Sequence, residues 1–124
     1  MHKAKRDGVS SEKLSELVST GMLDKKALDI TLLDLRGIKH AVADFFIICS
    51  GNSDTQIDAI ADSVEDHVKK NTKQSPWKRE GFQQKEWILI DYVDVVVHIF
   101  SKEKRLFYGL EELWADAKIT TITE

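Results

Sequence analysis

The 124-residue chain is poor in the residues that staple, kink or loosen a polypeptide, with one Cys, one Pro and six Gly. A lone Cys forms no internal disulfide. No leader with a basic start, an apolar middle and a small-residue cleavage site opens the sequence, so the expected compartment is the cytoplasm. So little Pro and Gly excludes collagen-like and low-complexity disordered classes. Long hydrophobic runs are missing as well. Stretches such as Phe45 to Cys49 and Val95 to Val97 fall far short of the roughly 20 apolar residues that cross a bilayer, which excludes membrane insertion. Nor is positive charge in excess: 18 Lys and Arg face 21 Asp and Glu, for a net charge of -3. There is then no general attraction to phosphate backbones, and contact with nucleic acid needs a local basic patch.

What is present is enough apolar residue, 42%, for one domain. A chain of this length buries roughly two thirds of the surface it would expose unfolded. Residues 1–9, with Lys3, Lys5 and Arg6, read as a flexible start, 10–118 as the domain and 119–124 as a frayed tail. After a cap at Ser10 or Ser11, Leu14, Leu17 and Val18 line one side of a short helix that stops near Gly21. Ala27 to Leu35 alternates as a half-buried strand, and Asp44 to Ser50 is a continuous apolar run that fits a central strand. Ser53 to Gln56 forms a capping box, followed by Ile57, Ile60, Ala61, Val64 and Val68 at helical spacing. The polar stretch 72–86 leaves room for an edge strand around Trp77 to Glu80. Strands over Trp87 to Tyr92 and Asp94 to Phe100 come next, then a helix whose Leu106, Leu110, Leu113, Trp114 and Ala117 share a face. The order predicts an α/β domain, a mixed β-sheet of about five strands flanked by helices.

A tight hairpin turn at Tyr92-Val93 would set Asp91 opposite Asp94, Leu89 opposite Val96 and Trp87 opposite His98. Period two then puts Ile88, Ile90, Val95, Val97 and Ile99 on one aliphatic face, which must be core. The other face carries Trp87, Leu89, Asp91, Asp94, Val96, His98 and Phe100. Aromatic and aliphatic groups mixed with isolated charges fit either a surface covered by a helix or the centre of a protein interface.

Residues able to do chemistry are scattered. His2, His40, His67 and His98 show no zinc-like spacing, and Cys49 lies in the most apolar strand, where a thiol is ordinary packing. The Asp54, Asp58 and Asp62 stripe reads as a solvated helix face. Gly51-Asn52-Ser53 has neither phosphate-loop nor dinucleotide-binding glycines, and reads as a capped turn. Asp91 and Asp94 offer two carboxylates to a cation, but a turn separates them. No metal or cofactor is expected.

Two segments resemble the signatures of the ribosomal silencing factor family (RsfS, also called Iojap-related). The first is Asp44 to Ser53 with Gln56 and Ala59-Ile60-Ala61-Asp62. The second is Glu80-Gly81, Trp87 to Tyr92, Asp94 to Phe100, Arg105, Tyr108, Leu110-Glu111, Leu113-Trp114 and Asp116-Ala117. The likeness runs from about Ser11 to Ala117. One departure stands out: Val93 occupies the turn where the family usually has Gly, a position suited to positive φ. The resemblance implies an α/β sandwich related to nucleotidyltransferases but without their catalytic apparatus. It also implies a non-enzymatic regulator that binds the large ribosomal subunit through its ribosomal protein number fourteen, with at most a minor contact to ribosomal RNA. That binding obstructs joining of the small subunit and represses translation when nutrients are short. Organellar relatives act in large-subunit assembly, and free members form homodimers. Partner contacts are expected from Trp87, Leu89, Asp91, Asp94 and His98, extended by Arg105 and Tyr108. Two rivals come from other classes: a metal-dependent nucleotidyltransferase-like enzyme using Asp91 and Asp94, and an RNA-binding module.

Overall fold

The computed structural model describes residues 9–123. Its elements run α1 (Ser11–Asp24), β1 (Leu28–Asp34), β2 (Phe45–Gly51), α2 (Asp54–Thr72), β3 (Lys78–Glu80), β4 (Trp87–Asp91), β5 (Val95–Ser101), α3 (Lys102–Tyr108), α4 (Leu110–Leu113) and β6 (Lys118–Thr121). The strands form one sheet in the order β3-β4-β5-β2-β1-β6. β2 and β5 pair in parallel at its centre, and every other pair is antiparallel. The expected flexible start falls mostly on residues 1–8, outside the described part. The expected tail does not fray where β6 forms, because Lys118 to Thr121 pair with Asp34 to Thr31. This gives six strands instead of about five.

Each helix follows from its caps and spacing. Ser10 and Ser53 accept the backbone N–H of Lys13 and Gln56, both at 3.1 Å, and start α1 and α2. The apolar stripes of these two helices close one face of the sheet. There Leu14, Val18, Met22, Ile57, Ile60 and Val64 pack on Ile47, Cys49, Ile88, Ile90, Val97 and Ile99. Fully burying one such aliphatic side chain stabilises the fold by roughly 1.5–3 kcal/mol before entropy is charged against it. The aliphatic face foreseen for the hairpin is this core face.

Gly21 lies where α1 crosses α2. A Cβ there would come 2.8 Å from the Cα of Val64 and 3.0 Å from the carbonyl oxygen of Ser63. A glycine inside a helix costs about 1 kcal/mol relative to alanine. Here it lets two backbones approach, and it does not end the helix, which continues to Asp24.

Three expectations change in detail. β1 is buried on both faces, because a bulge between Leu28 and Thr31, with Asp29 at φ 52°, breaks the simple alternation. Ile30 then packs under the helices while Leu33 and Leu35 are buried on the opposite side. In the hairpin, Trp87 opposes Phe100, Leu89 opposes His98 and Asp91 opposes Val96. The pairing is displaced by two residues from the one expected, and an even displacement leaves every side chain on its predicted face. The cause is the turn. The Tyr92 N–H donates to the Val95 carbonyl at 2.9 Å and the Asp94 N–H to the Tyr92 carbonyl at 3.0 Å, with Val93 at φ 76° between them. Valine thus holds the positive φ that the family glycine would take without strain.

The last helix is not continuous. Gly109 takes φ 58° and donates its N–H to the Arg105 carbonyl, ending α3, and α4 restarts at Leu110. Leu110 and Ala117 pack against the second face of the sheet as expected, but Leu106 and Leu113 are exposed.

Candidate docking site

The second face of the sheet carries an apolar layer of its own. Leu33, Leu35, Phe46, Ile48, Val96 and Phe100 form it, and the arm made of α3, Gly109 and α4 lies over part of it. A chain of rings crosses this layer. Phe46 on β2 meets the His98 ring edge-on at 4.5 Å, Trp87 on β4 lies 5.0 Å from Phe100, and Tyr108 on α3 lies 4.8 Å from Trp87. Phe107 meets Tyr108 edge-on at 5.2 Å, and Trp114 meets Phe46 at 5.8 Å. Offset and edge-on contacts of this kind each add about 0.5–1.5 kcal/mol beyond area burial, so the rings stiffen one another.

Of the residues expected to contact a partner, Trp87 and Leu89 are half-buried beside the arm, and Tyr108 is 37% exposed with its hydroxyl 3.4 Å from Glu86 Oε1. Asp91 and Asp94 flank the hairpin turn at the rim. Asp91 Oδ1 accepts the Val93 N–H at 2.7 Å, which ties one carboxylate oxygen to the turn. A helical arm covers one part of the mixed face and leaves another open.

Two residues sit elsewhere than a surface contact requires. His98 is only 3% exposed, and its Nδ1 accepts the Trp87 Nε1–H at 3.0 Å. Burial pushes its pKa down to about 3, which keeps the ring neutral. Arg105 is a clamp. Its Nε and Nη2 hold both Glu111 oxygens at 3.0 and 3.1 Å. The remaining donors reach Asp29 O at 2.7 Å, Ser50 Oγ at 3.1 Å and Thr31 Oγ1 at 3.0 Å. With its five N–H groups engaged and its side chain 11% exposed, Arg105 fixes the arm to β1 and β2. Arg105 is therefore a helix-to-sheet contact, with Glu111 as its charged partner.

The sequence reading missed the most exposed part of the face. Leu106, Phe107 and Leu113 are 89%, 73% and 75% exposed. All lie within residues 106–113, next to Tyr108. The missed signal was Gly109, which reads as a helix stop. Taking the helix straight through it sent Leu106 and Leu113 into the core and left Phe107 out of consideration.

At the start of α2, Asn52 donates to Gln56 Oε1 at 2.6 Å, Gln56 to Ser53 Oγ and Ile57 to the Ser53 carbonyl at 2.9 Å, the pattern of a capped turn. Asp58 pairs with Lys85 at 3.3 Å, in keeping with a solvated helix face. Cys49 is wholly buried, and desolvation pushes its thiol up to about 12, away from the thiolate a nucleophile needs. Among the described residues no three His, Cys, Asp or Glu converge on a metal-sized site.

The fold and site together define an α/β domain with an outward-facing apolar arm beside a polar rim. Comparison with known proteins gives the class a family. The family model described as "Ribosomal silencing factor during starvation" matches residues 9–124. The chain is 42% identical over 114 residues to the ribosomal silencing factor RsfS of Bacillus subtilis (strain 168), covering 92% of this chain and 95% of that one. It is 39% identical over 92 residues to the chloroplastic protein Iojap of Zea mays, covering 74% of this chain and 39% of that longer one. A crystal structure of a Chromobacterium violaceum protein superposes with a TM-score of 0.81 at 29% identity, covering 94% of this chain and 95% of that one. The chain belongs to the ribosomal silencing factor family, a family of regulatory proteins.

Proposed function

We propose that this protein docks on the large ribosomal subunit through ribosomal protein number fourteen, on the face that meets the small subunit. By occupying that face it blocks subunit joining and lowers translation under starvation. The observation that carries the reading is the outward-facing apolar arm of Leu106, Phe107, Tyr108 and Leu113 beside Trp87. An apolar, aromatic centre with a polar rim has the anatomy of an interface hot spot. The net charge of -3 favours a basic protein partner over bare RNA, leaving ribosomal RNA a minor contact, while Asp91, Asp94 and Glu86 supply rim carboxylates. The action takes place in the cytoplasm. Free copies pair as homodimers, for which the same arm offers apolar surface.

No chemical step is involved: the protein acts by affinity and position. Sucrose-gradient sedimentation of purified subunits tests it. Added protein should travel with the large subunit and deplete joined ribosomes, and Phe107→Asp should abolish both effects while leaving the fold intact. Joining at an undiminished level in the presence of excess protein would refute the reading.

A further inference from the structure

Trp87 turns its polar atom inward from the docking face. Its Nε1–H donates to Nδ1 of His98 at 3.0 Å, and the acceptor lies on the neighbouring strand, beneath the surface. With Nδ1 as acceptor, neutral His98 carries its proton on Nε2. That atom is buried and has no hydrogen-bond partner, an arrangement that costs free energy and packing alone would not retain. Phe46 and Phe100 lie beside the imidazole, at 4.5 and 6.5 Å between centroids.

We infer that His98 is the positioning residue of the docking surface: it captures the Trp87 indole N–H and holds the ring tilted against Phe100 and Tyr108. The partner then meets an apolar ring with no donor to satisfy. This rests on the docking function proposed above, and it specifies the chemistry at Trp87: the partner atoms there are apolar, and Trp87 gives them no hydrogen bond. An indole free to turn would lose rotamer freedom on binding and would expose a donor that docking must desolvate, and both effects lower affinity.

The first test uses the unaltered protein. Nitrogen-15 spectra should show His98 protonated at Nε2 and the Trp87 indole proton as a slowly exchanging signal. Protonation at Nδ1, or fast exchange of that proton, would overturn the inference. Next, His98→Leu keeps apolar volume but removes the acceptor. The indole proton should exchange rapidly, and affinity for large subunits should fall about tenfold, the scale of one lost hydrogen bond. His98→Asn, whose Oδ1 can stand where Nδ1 stood, should restore both. Unchanged affinity in His98→Leu, or no recovery in His98→Asn, defeats the assignment. If His98→Leu does not fold, the spectra of the unaltered protein decide: a rapidly exchanging Trp87 indole proton there overturns the inference by itself. Phe107→Asp separates the two levels. Should it bind normally too, the docking function fails; should it alone abolish binding, only the role of His98 falls.

Discussion

At the scale of single residues, His98 couples stability to pH. Its folded pKa, lowered by burial to about 3, lies below the ordinary value of about 6.5. Between these values the unfolded chain binds a proton that the folded protein does not, so unfolding free energy rises with pH in that window and falls on acidification. We expect urea stability to decline from pH 6.5 toward pH 4, by up to about 1.4 kcal/mol per pH unit from this group. His98→Leu should flatten that slope. Equal slopes in the two proteins would show that His98 takes no part. Val93 is under backbone tension. A β-branched side chain at φ 76° costs about 1–2 kcal/mol, partly offset in glycine by a more disordered unfolded chain. Val93→Gly should therefore raise the urea midpoint, for a gain of about 0.5–1 kcal/mol, with an unchanged m-value.

At the scale of elements, close approach and clamping do the work. Gly21→Ala gains helix propensity but drives a methyl group into the Val64 backbone. Overpacking of this kind costs about 1–3 kcal/mol, so equilibrium unfolding should show a net loss despite the better helix former. Arg105→Met should loosen the arm, leave half-buried Glu111 without its partner and lower stability by about 2 kcal/mol or more. Limited proteolysis should then cut first near Gly109. Elements with a strong period were readable from the chain: α2 from its capping box, β2 from its apolar run, and the core face of β4 and β5 from alternation. The missed ones depend on partners far along the chain. β6 has four exposed residues and exists because β1 offers it an edge. The β1 bulge has its carbonyl held by Arg105 from 76 residues away. The candidate site was half legible for the same reason. Period two placed Trp87, Leu89 and His98 on one face, but it could not say that His98 lies under Trp87 or that Gly109 turns Leu106 and Leu113 outward.

At the scale of the whole molecule, the two faces of the sheet separate two properties. The face under α1 and α2 holds most of the core, and the face under α3 and α4 carries the candidate docking surface. Substitutions at the tip of the arm should leave unfolding nearly untouched while changing association. Trp87→Ala should weaken co-sedimentation with large subunits on the order of thirtyfold, equivalent to about 2 kcal/mol. Undiminished co-sedimentation by the folded variant would remove Trp87 from the anchor position.

The parallel pairing of β2 with β5 has a consequence in time. Every residue of β2 is buried, as are Val95 to Phe100, and both strands are flanked on each side by others. Their amides have no local route to solvent. Protons on Ile47, Ile48, Val97 and Ile99 should exchange only when the entire domain opens, and so report its global unfolding free energy, whereas the β3 and β6 edges exchange by fraying. The arm, clamped by Arg105 and seated through Leu110, should exchange faster than that centre, by local opening.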